Sequence, residues 1–249
     1  MSAQGPRHLP GLDDANVVRT KTTAFAELNL ASAIDRNGIA VVHGAPGNGK
    51  TFTVDQFLDR HRVPGGRPVH WLDMPPAPAP KEVTVRLLSA IGVPHRTRDS
   101  QFELTDQLVP ELTGRIVVID EAQNLRQASL QQVRYLHDMG RASWALVLVG
   151  STVDEAMNRA PELGSRVSAR IQFAPLEDEA LLRAIRAWHP LMETIEPKFL
   201  LQLDSTYGYG NWRRWGQLLS ALLDLMKQLP AGTEVTPKHL SAALAMVQG

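Results

Sequence analysis

This 249-residue sequence predicts an α/β fold, a parallel sheet covered by helices on both faces, with a smaller all-helical domain at its C-terminal end. Three observations carry the prediction. Short apolar runs alternate with stretches of helical apolar spacing between Ile39 and Pro175. A glycine-rich octapeptide, Gly44-Ala45-Pro46-Gly47-Asn48-Gly49-Lys50-Thr51, stands between the first apolar run and the helical stretch after it. From Leu176 onward only the helical spacing continues.

In chain order, residues 1–18 contain Gly5, Pro6, Pro10 and Gly11 and no clear period, so they read as a flexible or loosely docked arm. Thr20 to Arg36 reads as a helix with Phe25, Leu28, Ala31 and Ile34 at helical spacing, stopped by Asn37-Gly38. Ile39 to Val42 is a strand, and Phe52 to Arg60 a helix with Phe52, Val54, Phe57 and Leu58 available for packing. After the turn Pro64-Gly65-Gly66, a strand is predicted at Pro68 to Met74, then a proline-rich loop to Pro80. Helices follow at Lys81 to Ile91 and Gln101 to Leu112, and Arg115 to Ile119 is a buried strand. Leu130, Val133, Leu136 and Met139 share a helix face, Trp144 to Val149 is another strand, and Arg170 to Phe173 the last. Further helices are expected around Leu181 to Trp188, Phe199 to Leu203, Trp212 to Met226 and Pro237 to Val247. The domain division is therefore 1–18, 19–175 and 176–249.

The octapeptide fits the phosphate-binding pattern GxxxxGK[ST] in full, in the strand-loop-helix order that its chemistry requires. Backbone N–H groups hold a polyphosphate only where no side chain blocks the approach, which Gly44, Gly47 and Gly49 allow. The helix N-terminus adds positive partial charge, Lys50 is placed for the outer phosphates, and Thr51 offers a hydroxyl to Mg²⁺. Residues Gly44 to Phe52, with Ala45, Pro46 and Asn48 among them, are the expected nucleotide contacts.

The strand ending at Ile119 delivers Asp120 and Glu121 at its carboxyl end, where open α/β sheets bind ligands. Asp120 is placed to hold Mg²⁺ with Thr51, and Glu121 to polarise an attacking water. Ser151, in Gly150-Ser151-Thr152 at the end of the next strand, has two open readings: a hydroxyl toward the γ-phosphate or its water, and an N-cap for Val153 to Arg159.

With these motifs in order from about Val17 to Val247, the chain resembles the AAA+ ATPases. Gly44 to Thr51, Ile119-Asp120-Glu121-Ala122, Leu148-Val149-Gly150-Ser151 and Arg166 to Leu176 look most like the TniB-like and Mu B-like ATPases that regulate DNA transposition. The core also resembles secretion ATPases of the ExeA type and replication-initiator or helicase-loader ATPases. The resemblance implies the AAA+ P-loop NTPase fold with a C-terminal helical lid, and ATP hydrolysis with Mg²⁺. It also implies a homo-oligomer, ring or helical filament, that binds dsDNA without sequence preference and recruits or activates a transposase. It gives Arg166 the part of an arginine finger reaching a neighbouring subunit's nucleotide, with Arg170 the alternative. Arg213 becomes the lid arginine, with Arg214 the alternative. Lys50, Glu121, Ser151, Arg166 and Arg213 form the expected catalytic set. No helix-turn-helix domain is recognisable ahead of the core, which departs from Mu B-like proteins.

The DNA-contacting segment implied by the resemblance is His95-Arg96-Thr97-Arg98, with Arg96 and Arg98 on phosphates and Lys81 and Arg86 secondary. An ordinary exposed basic turn is the competing reading. The net charge of zero argues against a globally basic nucleic-acid binder and leaves a local basic surface open. The absence of cysteine excludes disulfides and cysteine-bound zinc, and fits a reducing cytoplasm. No apolar run approaches the ~18 residues of a membrane span, so no membrane partner is expected.

Overall fold

The computed structural model describes residues 12, 14–96, 98–230 and 232–248. Its contacts divide the chain into two compact units, one of residues 24–46 and 53–173, the other taking residues 47–52, 174–248 and the described residues before Ala24.

The first unit is built on a five-stranded sheet in the order β2-β3-β4-β1-β5, from β1 (Ile39–His43), β2 (Val69–Asp73), β3 (Ile116–Asp120), β4 (Ala145–Gly150) and β5 (Val167–Gln172). Every neighbouring pair is parallel. A parallel strand must return over the sheet before pairing again, so helices cover both faces and the central strands are apolar throughout. All five residues of β3 and all six of β4 are buried.

Alternating side chains divide between two cores. Ile39, Val41, Val117, Ile119, Leu146 and Leu148 face residues of α3 (Pro80–Ile91), α4 (Gln101–Glu111), α5 (Gln127–Met139), α6 (Val153–Arg159) and α7 (Pro161–Gly164). Ala40, Val42, Ile116, Val118, Val147 and Val149 face α1 (Lys21–Asp35) and the end of α2 (Lys50–Leu58). α4 starts with a reciprocal capping box: Glu103 N–H donates to the Ser100 hydroxyl while Ser100 N–H donates to the Glu103 carboxylate at 2.7 Å.

The second unit is helical: α8 (Asp178–Trp188), α9 (Pro190–Glu193), α10 (Pro197–Leu203), α11 (Trp212–Met226) and α12 (Pro237–Gln248), with a π-turn at Asp204–Gly208. Trp188, Trp215, Leu218, Leu219 and Leu222 centre its core. Leu12 is 1% exposed in that core, and Asn16 N–H donates to the Trp188 carbonyl at 2.7 Å, so this part of the expected arm is docked. Residues 1–11 and 13 of that arm lie outside the described residues.

Three expectations change. α1 forms where predicted, but it buries Ala26, Leu30, Ala33 and Ile34 and leaves Phe25 53% and Leu28 72% exposed. Apolar residues surround this helix on more than one face, so periodicity alone does not choose the stripe; the sheet selects the face with small alanines, which lets the helix approach closely. Met139, expected on the buried stripe of α5, is 48% exposed at its last turn. β5 begins three residues earlier than predicted, because its outward positions Ser168, Arg170 and Gln172 are exposed on an edge strand and break the apolar run.

Candidate functional site

The phosphate-loop pattern begins where β1 ends. The Gly44 N–H donates to the Ser151 carbonyl at 3.2 Å and Phe173 N–H donates to the His43 carbonyl at 2.8 Å, so neighbouring backbone closes on the loop's first residue. Gly44 has φ +134°, and a Cβ there would stand 2.1 Å from the Phe173 carbonyl oxygen. No other residue type fits without moving backbone.

The rest of the loop belongs to the helical unit. Gly47 has φ +84°, and a Cβ there would meet the Asn211 side-chain oxygen at 2.3 Å. Asn211 caps α11 by accepting from the N–H groups of Arg213 at 3.1 Å and Arg214 at 3.2 Å. Its amide nitrogen donates to the Asn48 side-chain oxygen at 3.3 Å, and the Gly47 carbonyl accepts from Arg213 N–H at 3.3 Å. The loop is thus tied to the first turn of α11 on its second half. Asn48 and Lys50 are buried, while Thr51 and Phe52 are half-buried. α2 starts at Lys50, so its first turn carries N–H groups without intrahelical partners.

At the carboxyl end of β3, Asp120 is 7% exposed and accepts from the Glu121 N–H at 2.9 Å. Its backbone carbonyl accepts from Met74 N–H at 3.2 Å, and Asp73 of β2 lies opposite it in register. Glu121 is exposed and has φ +51°, a left-handed conformation that turns the chain off the strand. Such a backbone in a residue with a long side chain stores strain of about 1–3 kcal/mol and concentrates at functional sites.

Gln123, not singled out by sequence reasoning, joins the strand ends. Its side-chain N–H donates to the Glu121 carboxylate, and its side-chain oxygen accepts from Ser151 N–H at 3.1 Å. Ser151 therefore engages through its backbone, and α6 has no side-chain N-cap hydrogen bond. The nearest sequence signal was the polar run Gln123-Asn124 in the turn after the carboxylates; Asn124 itself donates to the Met74 carbonyl at 2.7 Å and fixes the loop after β2.

Both finger candidates are held within the chain. Arg166, 37% exposed, donates to Asp138 at 2.6 Å and to the Glu162 carbonyl at 2.5 Å, whereas Arg170 pairs with Asp154. On α11, Arg214 donates to the Tyr207 carbonyl at 3.0 Å and lies 5.0 Å from the Tyr209 ring centroid. The Arg213 guanidinium has no hydrogen-bond or ion-pair partner among the described residues, and only its backbone is engaged. Of the basic candidates, Arg96 and Arg98 are exposed in a turn closed by Asp99, which accepts from Arg96 N–H at 2.9 Å. Thr97 lies outside the described residues. Arg86 is paired with Glu82 at 3.0 Å on α3, so its charge is offset, and Lys81, half-buried in the first turn of that helix, is engaged as well. Among the described residues no cluster of His, Cys, Asp or Glu forms a metal site, and no helix is long and apolar enough to cross a membrane.

The sheet order, the loop after β1 and the acidic end of β3 define an AAA+ P-loop NTPase fold with a C-terminal set of helices. Residues 34–156 match the family model described as AAA domain. The structure is similar to that of the Aeropyrum pernix ORC1 protein in complex with DNA, with a TM-score of 0.70, 20% identity, and coverage of 96% of this chain and 68% of that one. Cdc6p from Pyrobaculum aerophilum gives a TM-score of 0.62 at 18% identity, covering 92% of this chain and 65% of its own. Domain III of the Thermotoga maritima replication initiation protein DnaA gives 0.60 at 13% identity, covering 93% of each chain. The chain thus spans about two thirds of the first two, and at these identities the likeness is one of fold. No curated protein matches the chain by sequence.

Proposed function

We propose that this chain is an Mg²⁺-dependent ATPase that assembles on double-stranded DNA as a homo-oligomer and regulates a DNA transposase. The observation that carries the ATPase reading is the loop from Gly44 to Thr51, with backbone geometry at Gly44 and Gly47 that side chains disfavour, leading into the N-terminus of α2. The donor set fits the group: N–H groups and Lys50 for phosphates, and the hard oxygens of Thr51 and Asp120 for Mg²⁺. ATP with Mg²⁺, when bound, supplies the phosphoryl group to be transferred to water.

Lys50 and the loop N–H groups would hold the phosphates, and Thr51 and Asp120 would hold Mg²⁺. Glu121 polarises the attacking water, and Ser151 helps define the position of that water. Arg213 serves as the lid arginine, supported by the lack of a partner for its guanidinium among the described residues beside Arg214, which is held by the Tyr207 carbonyl and the Tyr209 ring. Arg166 serves as the finger toward a neighbouring subunit, and must leave Asp138 to do so. A finger supplied in trans raises turnover by about 10³ to 10⁵, so hydrolysis depends on assembly. The transposition reading rests on the likeness of the motif segments to TniB-like and Mu B-like ATPases. A second reading, a replication initiator or helicase loader, is favoured by the fold likeness to ORC1, Cdc6p and DnaA.

The test is ATP turnover with and without double-stranded DNA, with electron microscopy of the same samples and pull-down of a transposase from the same cells. DNA-dependent turnover, ATP-dependent assemblies on DNA and capture of the transposase are expected. Turnover indifferent to DNA with no assemblies on it overturns the DNA reading and leaves the ATPase. Replacing Arg96 and Arg98 together by Ala is expected to weaken DNA binding and reduce the log–log salt slope by about two, with nucleotide affinity unchanged. An unaltered salt slope removes these residues from the DNA surface.

A further inference from the structure

The polar groups at the ends of β3, β4 and β1 form one continuous chain of hydrogen bonds. Gln123 donates to the Glu121 carboxylate and accepts from Ser151 N–H at 3.1 Å, and the Ser151 carbonyl accepts from Gly44 N–H at 3.2 Å. A primary amide carries a donor and an acceptor on one rigid plane, so it can join a carboxylate to a backbone N–H as neither a carboxylate nor a hydrocarbon can. The surroundings are shaped for it. A Cβ on Gly150 would lie 2.0 Å from the Gln123 side-chain oxygen, so glycine at the end of β4 makes room for the amide. Gly150 has no left-handed φ, and the need for glycine there is steric.

From this we infer that Gln123 is a positioning residue. It orients the Glu121 carboxylate and couples it, through Ser151, to the first residue of the phosphate loop. A shift of the loop at Gly44 moves the end of β4, and Gln123 passes that shift to the carboxylate. The inference rests on the ATPase reading for the role of Glu121, while the hydrogen-bond path stands independently of it.

Two variants separate the two halves of the amide. Gln123→Glu keeps the acceptor for Ser151 and replaces the donor to Glu121 with a second carboxylate. Gln123→Met keeps the length and removes both. In the nucleotide-free protein, amide hydrogen exchange at Ser151 is expected to stay slow in Gln123→Glu and to quicken at least several-fold in Gln123→Met. In turnover, both variants are expected to lose roughly 10- to 100-fold in kcat, with KM for ATP within about twofold of the parent, as for an interaction that counts only in the transition state. Gly150→Ala is the independent check, because its methyl evicts the same amide; its effect is expected to shrink when Gln123 is already Ala, the non-additivity of groups in contact. Glu121→Gln is measured alongside. If Glu121→Gln abolishes turnover while both Gln123 variants keep the parent kcat, the positioning role is overturned and the ATPase reading stands. If Glu121→Gln itself turns over normally, the assignment of Glu121 fails, and Ser151 exchange still reports whether Gln123 forms the path. Unchanged Ser151 exchange in Gln123→Met overturns the path.

Discussion

The carboxyl edge of the sheet and the first turn of α11 both hold a piece of the glycine loop, and they do so by different means. At the sheet edge, Gly44 is enclosed by backbone: the Ser151 carbonyl accepts from it, and the Phe173 carbonyl leaves no space for a Cβ. At α11, Gly47 meets a side chain, Asn211, which also caps the helix and reaches Asn48. Backbone enclosure is set by strand register and yields only if the ladder moves. A side-chain clasp yields by a rotamer change.

Four measurements sharpen or break that contrast. The largest effect belongs to the sheet edge: Glu121→Gln is expected to slow ATP turnover by about 10² to 10⁴-fold, as for loss of a general base, with nucleotide affinity retained in a fluorescent-nucleotide titration. Parent-like turnover in this variant would take the chemistry away from β3.

Next come the two glycines. Gly44→Ala is expected to destabilise the protein by at least roughly 1–3 kcal/mol, because a left-handed residue is combined with a backbone clash. Gly47→Ala also falls at a positive φ, +84°, but meets a side-chain neighbour that can turn away, so its cost in urea unfolding is expected to be smaller. The reverse order would show that the Asn211 clasp is the stiffer of the two.

Asn211→Ala removes the cap, at about 1 kcal/mol by thermal unfolding. It also removes the hydrogen bond to Asn48 and is expected to weaken nucleotide binding, whereas Asn211→Asp restores the cap without the donor to Asn48 and separates the two effects. Stability recovered without nucleotide affinity supports the clasp.

The smallest effect is a pH dependence shared by the two units. His137 on α5 and His189 before α9 are both buried, and burial lowers the pKa of each below the usual value near 6.5. The folded state thus favours the neutral ring, and the unfolded chain takes up protons first as pH falls. Their contribution is fully present above pH 6.5 and declines below it. His189 is the more exposed to this mechanically, because its ring nitrogen accepts from the Leu191 N–H at 3.0 Å and a protonated ring cannot. Amide exchange followed from pH 7.5 to 5.5 is expected to quicken at α9 before α5, and equal quickening would remove the distinction.

Much of this was legible in the residues. The apolar runs at Ile39, Ile116 and Trp144, the GxxxxGK[ST] pattern and the paired acids after Ile119 depend on short-range rules, namely strand burial, glycine backbone freedom and the chemistry of strand ends. The helix at Trp212–Met226 was found to its ends, and Asn211 caps it where the apolar spacing begins. The Asn211 contact with the loop was not legible, since the two asparagines it joins are 163 residues apart. Gln123 was equally silent, because nothing in a polar turn residue announces a glycine 27 positions later that makes room for it.

The sequence by itself determined which segments are strands, which are helices and where the GxxxxGK[ST] pattern stands between them, because those depend on side-chain period and local backbone preference. Only the tertiary structure decided which stripe of α1 is buried, which of the two α11 arginines has its guanidinium unpaired among the described residues, and how Glu121 is tied to Ser151 and Gly44. Those choices depend on which distant backbone comes within about 3 Å, and hydrogen bonds act only at that range.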